Sequence, residues 1–583
     1  MEEVAITTER VDDVPLLLGV MQRIGLVEIS DHHIPSHWKQ RELSWGWTAV
    51  VWLAYILTEG DHRKSSVEEY IRGMQITLKA VTGQAISAAD FTTDRLGHLL
   101  RYLSQASCWK AIEQALNERS IEVYELPSAV VRLDATTVSG YHQGGEERLF
   151  QFGHSKDDPN LRQIKLMTGA LDPLGMPLAT EVVSGEHADD GLYLAVIDRV
   201  HEALQKSGVL YCGDCKMSAL ATRVHIRELG HHYLSPLPLT GKTAEEMKHW
   251  IQEGRDKKNN GALQEVYRTN DQGQEILIAQ GFELAREQKA LEGNHERSWS
   301  ERVLILQSPS HAAQQEKGLE QRMEKARTKI LTLTPPKGRG QRQITEEAVL
   351  KTQIEKILTT HQVEGLLEVD YEKQVKQQTK YIGRGRGATN RPQQVLETIR
   401  YQITQVNRLE EPIEQTKERF GWKAYVTDGT KEQLSLAQAV RCYRKEYRVE
   451  RIFQRLKSRL NIAPLFVQRN DQVTGLTHFL TLGIRVLTLI EFVIRRSLKQ
   501  DKASLKGLHP ENPKRTTETP TVERILKAFS NVTLTIIHSG DQIIRHLAPL
   551  SEVQKKKLER LGCEPSLYQN LEIKNNAVLL TNR

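Results

Sequence analysis

Three acidic residues stand in settings that suit catalysis. Asp134 follows the apolar run 130–133, Asp214 follows the apolar run 209–212 after one glycine, and Glu450 lies in a segment crowded with basic residues. Carboxylates at strand ends beside a helix-borne Glu suit a divalent-cation site with oxygen ligands. Two such ions about 3.5–4 Å apart activate a nucleophile and stabilise a leaving oxygen in phosphoryl transfer. Any one Asp beside a strand is as readily a turn or cap residue. The combination is what points to chemistry.

The setting of Glu450 has an internal order. Residues 441–459 hold eight basic side chains and two acidic ones, Glu446 and Glu450. With 434–460 read as one long helix at about 100° per residue and Glu450 placed at zero, Tyr443 falls at about +20° and Lys457 at about −20°. Val449, Phe453, Leu456 and Leu460 form an apolar stripe on one side. Arg444, Arg448, Arg451, Arg455 and Arg459 fall on the other side and are expected to face outward. Tyr, Glu and Lys thus share a narrow line between a core stripe and an arginine face. Glu446, one turn from Glu450, stays open as a second candidate ligand.

A second basic cluster spans 372–400, with seven basic and two acidic residues. Its centre, GRGRGATNRP, contains Arg384 and Arg386 in a glycine-rich loop able to follow a phosphate backbone. A single charge run reads as a solvated face. Two ordered runs favour a polyanion partner.

The elements that must carry these residues follow from periodicity. Residues 12–117 have helix-like apolar clustering. Strand patterning begins near Ala129, and 163–171 and 176–183 form two strands joined by the turn Asp172-Pro173-Leu174-Gly175. A helix at 192–204, a short strand at 209–212, a helix at 217–229 and a strand at 233–234 complete an α/β arrangement. From 241 to 420 the chain is polar and Gln-rich, with strands at 276–278 and 303–306 and a charged helix at 314–331 that stops at Pro335-Pro336. This stretch reads as a separate inserted domain. A strand at 424–426 and the long helix return to the core. The expected division is a helical N-terminal domain (1–120), the first part of the core (121–240), the insertion (241–420), the second part of the core (421–498), and a linker with a short helical tail (499–583).

The 583 residues carry a net charge of +6 and are 39% hydrophobic, enough for several packed cores. Five scattered cysteines make no disulfide framework, and the acidic start, MEEVA, is not an ordinary secretory signal. The apolar stretch 43–57 is short of the roughly 20 residues of a membrane span, and His478, Arg485 and Glu491 interrupt 476–494. Both read as buried core helices. The expectation is a soluble cytoplasmic, nucleoid-associated protein with no membrane partner.

The motifs VVRLDATTVSG, YCGDCKMSALATR and YRKEYRVERIFQRLK resemble those of insertion-sequence transposases of the DDE type. The resemblance spans about 122–496, and the segment 31–65 resembles the leader domain of one subgroup. A Y-(2)-R-(3)-E-(6)-K signature surrounds the family's Glu. Tyr443, Glu450 and Lys457 match it, and Glu446 stands at the Arg position. The resemblance implies an α/β fold with an RNase H-like mixed-sheet core interrupted by an inserted domain. It implies Mg²⁺-dependent cleavage at the element's ends, with Mn²⁺ as a substitute, then attack of the freed 3′-OH on target DNA. Asp134, Asp214 and Glu450 would be the catalytic metal ligands. Tyr443 and Lys457 would hold DNA, joined by Arg444, Arg448, Arg451, Arg455, Arg384 and Arg386. The partners would be the terminal inverted repeats and target duplex, bound by a homodimer. A metal-dependent nuclease without strand transfer and an inactive DNA-binding relative are the rival readings.

Other motifs carry less. One Cys212-x-x-Cys215 without a second pair is weak evidence for zinc. His32, His33 and His37 sit among Asp31, Pro35 and Ser36, as a loop or cap does. Trp45, Trp47 and Trp52 read as core residues. The Gly/Arg alternation at 383–387 lacks the strand-to-helix setting of a nucleotide loop.

Overall fold

The structure is a computed structural model that describes residues 4–36, 43–145, 147–154, 158–270, 273–292, 295–336, 338, 343–382, 393–445, 447–509, 511–539 and 542–573. A strand, β1 (Val4–Arg10), precedes helices α1 to α7, which occupy Val14–Tyr124 and include α3 (Trp45–Glu59), α6 (Thr93–Ser104) and α7 (Ala106–Tyr124). Helix α3 starts at Ser44, whose side chain accepts from the Trp47 amide at 3.3 Å. It is apolar all round and buried all round, with Trp45 and Trp52 in the core.

The centre is a mixed sheet. Its first strands are β2 (Val130–Gly140), β3 (Arg162–Leu171), β4 (Met176–Ser184), β5 (Leu210–Gly213) and β6 (His232–Pro236). Helices α8 (Asp190–Leu204) and α9 (Leu220–Glu228) connect them. Strands β2, β3 and β4 are antiparallel, whereas β5 pairs parallel to β2 and β6 parallel to β5.

The stretch read as a separate insertion falls into two parts. After α10 (Gly241–Asn259), strands β7 (Gln264–Thr269), β8 (Glu275–Glu292) and β9 (His295–Gln307) pair onto the core sheet. Helices α11 (Pro309–Thr332) and α12 (Glu347–His361), the ribbon β10 (Leu367–Tyr381) and β11 (Gln393–Arg408), and α13 (Glu410–Lys417) instead surround a core of their own, built on Leu319, Met323, Ile330, Leu350 and Ile413. Strand β12 (Trp422–Thr427) returns to the main sheet, whose order is β4-β3-β2-β5-β6-β12-β9-β8-β7.

The long helix expected at 434–460 is interrupted. It comprises α14 (Leu436–Tyr443), α15 (Tyr447–Gln454) and a π-helical turn at Arg455–Arg459. At the first break a side chain of β2 meets the helix backbone. Arg132 donates to the Cys442 carbonyl at 2.6 Å, the acceptor that a continuous helix would offer to the amide four residues on. The Lys445 amide takes the same carbonyl at 3.1 Å.

Helix α16 (Asn470–Gln500) is long and apolar enough to cross a membrane, yet its apolar window is almost wholly buried inside the protein. Its polar interruptions are satisfied there. Arg485 donates to Asn117 Oδ1 at 2.6 Å and to the Pro177 carbonyl at 2.9 Å, and His478 Nδ1 meets the Leu103 carbonyl at 2.8 Å.

The C-terminal region is not purely helical. A two-residue pair, β13 (Leu505–Lys506) with β14 (Thr516–Thr517), leads to α17 (Val522–Lys527), then to the hairpin β15 (Thr533–Ser539) and β16 (Gln542–Leu547), then to α18 (Glu552–Arg560) and α19 (Ser566–Gln569). Strand β1 adds to β15, so the sheet order is β1-β15-β16. Leu534 and Ile536 point inward from β15 and are fully buried.

Candidate metal and DNA site

Two of the three acids meet across the sheet. The parallel register of β2 and β5 runs to Leu133 opposite Gly213. Asp134 and Asp214 are the next residue on each chain, so both carboxylates leave neighbouring strands at one level. Gly213 permits the close approach needed there: a Cβ at this position would lie 2.7 Å from Met217 Sδ and 3.3 Å from the Leu133 carbonyl oxygen.

Each aspartate is oriented. Asp134 accepts from the Ala135 amide at 2.8 Å. Asp214 caps a short 3₁₀ turn, accepting from the Lys216 amide at 2.9 Å, and also accepts from the Tyr193 hydroxyl at 2.6 Å. Burial first, then the negative charges of Asp214, Asp134 and Asp189, push the Tyr193 phenol far above its ordinary range. Its hydroxyl is therefore a permanent donor at neutral pH. Beside this pair, Asp189 binds Lys165 at 2.7 Å and also Lys216. Burial alone would raise the Asp189 pKa, but the two ammonium groups outweigh it and hold it low.

Glu450 sits in the first turn of α15, which lies against β2 through Val449, Ile452 and Phe453. Its side chain is exposed and makes no hydrogen bond or ion pair among the described residues. Among the described residues no three His, Cys, Asp or Glu side chains are gathered as a metal site. The structure thus brings Asp134 and Asp214 together and leaves Glu450 apart from them.

The single line of Tyr443, Glu450 and Lys457 does not survive the break. Tyr443 belongs to α14, half-buried with its ring 4.6 Å from that of Tyr425, and Lys457 belongs to the π turn. The arginine face is also corrected. Arg455 is 5% exposed and binds Glu491 and Glu523, the latter at 3.0 Å. Arg451 makes two bonds to Glu491, at 2.8 and 2.9 Å, and Arg448 binds Asp172. Arg444 is exposed, as expected, and bonds to Ser308 Oγ at 2.8 Å. The helical angles were drawn through a break, and the acids that recruit Arg448, Arg451 and Arg455 lie on other elements. Arg384, Arg386 and Glu446 lie outside the described residues.

The Cys212-x-x-Cys215 pair points apart: Cys215 is exposed, while buried Cys212 lies 3.5 Å, sulfur to sulfur, from Cys442. Sequence reasoning missed Tyr193, Lys165 and Asp189. A tyrosine among apolar helix residues looks like any core aromatic until the fold brings Asp214 to it.

Residues 126–484 match the family model described as Transposase DDE domain, a span that takes in all three acids and more than half of the chain. The chain belongs to that family and is by class an enzyme acting on DNA. No curated protein matches its sequence. Among solved structures it is similar to a piggyBac transposase synaptic complex with hairpin DNA, determined by cryo-EM, at 7% identity and a TM-score of 0.35, over 89% of this chain and 80% of that one.

Proposed function

We propose that the protein is an insertion-sequence transposase that cuts DNA at the ends of its element and joins the freed 3′-OH to target DNA. The observation that carries this reading is the level pairing of Asp134 and Asp214 on neighbouring parallel strands, within a chain of the DDE family. The order β4-β3-β2-β5-β6, antiparallel then parallel, supports an RNase H-like core.

The donor set fits a divalent cation: two carboxylates stand side by side, and a third lies on a helix packed on the same strand. Asp134, Asp214 and Glu450 would hold Mg²⁺, with Mn²⁺ as a substitute, and the bound ions would supply nucleophile activation and charge neutralisation at phosphorus. Tyr193 fixes the rotamer of Asp214 through its hydroxyl. Lys165 and Lys216 keep Asp189 occupied beside the pair. Helix α15, bounded by a break and a π turn, is the element whose shift carries Glu450 toward the aspartates. Tyr443, Lys457, Arg444, Arg448 and Arg451 would hold the DNA, with Arg384 and Arg386 reaching it from the insertion. Arg455, enclosed by carboxylates, is no longer among the proposed contacts. Residues 1–120 would recognise the element ends, and two copies would hold the two ends.

The test is a cleavage assay on the protein's own gene with several hundred flanking base pairs. Wild type is compared with Asp134→Ala and Glu450→Ala, with Mg²⁺ or EDTA. Cuts at fixed flanking positions, lost in EDTA and in both variants, are expected. Scattered metal-dependent cuts would replace the reading with a nuclease, and tight binding without cutting would replace it with an inactive relative.

A further inference from the structure

Beside α15 lies a groove of about 360 Å³ between α15, α16 and the turn that joins β3 to β4. Five basic side chains line it: Arg448 and Arg451 from α15, and Arg495, Arg496 and Lys499 from α16. One carboxylate, Glu491, faces them. That carboxylate is already shared, since Arg451, Arg455 and Arg495 all bind it, and the Val522 amide donates to it at 3.0 Å. Glu523 answers Arg455, and Asp172 answers Arg448 while also pairing with Arg132 at 3.3 Å. Among the described residues Arg496 meets the Tyr124 carbonyl and the face of Phe492, 5.3 Å away, and no carboxylate. Lys499 is exposed and has no side-chain partner among the described residues.

The groove therefore holds more positive charge than its own acids neutralise, in a concave site where such charge draws anions. Burial, with Arg451 and Arg455 nearby, lowers the Arg495 pKa despite the attraction of Glu491. The mouth is open and carries the exposed ring of Tyr447. The turn at Pro173 and Leu174 follows the end of β3, which pairs with the start of β2 at Val131. Asp134 lies three residues along β2, about 10 Å away. The groove is thus a place apart from the carboxylate pair.

We propose that this groove carries the backbone contacts of Arg448 and Arg451 on to α16, where Arg495, Arg496 and Lys499 seat further phosphodiesters of duplex DNA. It rests on the transposase reading only for the choice of DNA as the polyanion. Cations drawn from two helices around an open mouth suit a continuous backbone better than a small enclosed anion. Because Arg448 and Arg451 ride on the helix that carries Glu450, DNA seated here also bears on the helix that must reach the aspartates.

The test measures binding of a fluorescein-labelled, random-sequence 20-base-pair duplex by anisotropy, in EDTA so that nothing is cut. Lys499→Glu is compared with Lys502→Glu, which changes net charge equally outside the groove, and both are checked by thermal melting. Loss of one phosphate contact lowers the slope of log K against log salt by about 0.9 and weakens binding about eightfold at 0.1 M salt. Lys499→Glu is expected to do at least this, and Lys502→Glu to stay within twofold of wild type. Equal behaviour of the two variants would overturn the proposal. Tripolyphosphate separates the remaining source of the same chemistry: if it raises the melting temperature of wild type but not of Lys499→Glu, while duplex binding is the same in both, the groove is a small-anion site and the proposal falls. If Lys499→Glu binds DNA as wild type does and Asp134→Ala abolishes cleavage, only the groove is lost. If Lys499→Glu weakens binding and wild type never cuts, only the transposase reading is lost.

Discussion

Replacing Tyr193 with Phe tests how the aspartate pair is held. The substitution removes one oxygen from a ring that is 1% exposed, so packing is nearly unchanged. What disappears is the 2.6 Å bond to Asp214 Oδ1. Asp214 keeps the Lys216 amide at 2.9 Å, so its backbone setting persists while its rotamer loosens. A hydrogen bond to a charged acceptor contributes about 1.5–3 kcal/mol. At about 1.4 kcal/mol per tenfold, that is roughly a 10- to 150-fold loss in cleavage. Partners that orient metal ligands have effects of about 10- to 100-fold, in the same range. The assay is single-turnover cleavage of an end-containing duplex as Mg²⁺ is varied. Because Tyr193 positions a ligand and does not itself react, the half-saturating Mg²⁺ should rise while the rate at saturation largely recovers. A merely structural role would lower the rate at every Mg²⁺ concentration alike. Cleavage by Tyr193→Phe within twofold of wild type throughout would refute the view that this bond positions a working ligand.

Two further outcomes concern stability. Gly475→Ala should destabilise strongly, by about 3 kcal/mol at the upper end of overpacking effects, because its Cβ would lie 1.9 Å from the Leu100 carbonyl oxygen, where α16 crosses α6. Melting temperature and soluble yield read this out, with Gly191→Ala, whose Cβ meets nothing within 4 Å, as the control. Lys557 is fully buried, and burial pushes its pKa down to about 7. The unfolded chain therefore binds the extra proton between about pH 7 and the ordinary lysine range, and stability rises with pH across that window. Lys557→Met should melt higher than wild type at pH 6, with the difference shrinking toward pH 10; a constant difference would sink this account.

What could be read from residues alone was local. The alternation around 130–140 and the turn at 172–175 marked β2, β3 and β4, and the apolar runs at 43–57 and 476–494 marked the buried helices α3 and α16. Asp134 and Asp214 stood out because each follows a short apolar run, and parallel pairing then set them level, Asp134 within β2 and Asp214 just past β5. What failed was decided by distant partners. No Pro or Gly signals the break after Tyr443, where the Cys442 carbonyl accepts from Arg132, 310 positions earlier. Arg455 looked solvent-facing because the acids that bury it, Glu491 and Glu523, belong to other elements. Strands β7 to β9 carried the polar texture of an insertion, yet Val303, Leu304 and Ile305 pack into the main body of the protein.

The pairing of β1 with β15 has a consequence for the order of synthesis. Arg10 lies opposite Thr533, so β1 waits during synthesis for a partner made more than 500 residues later. At about 5–20 residues per second, that wait is on the order of half a minute to two minutes. Until then β1 offers an unsatisfied strand edge, which a ribosome-associated chaperone or a neighbouring nascent chain can capture. A product that stops before residue 533 never closes this edge, so synthesis through β15 also completes the sheet that β1 opens.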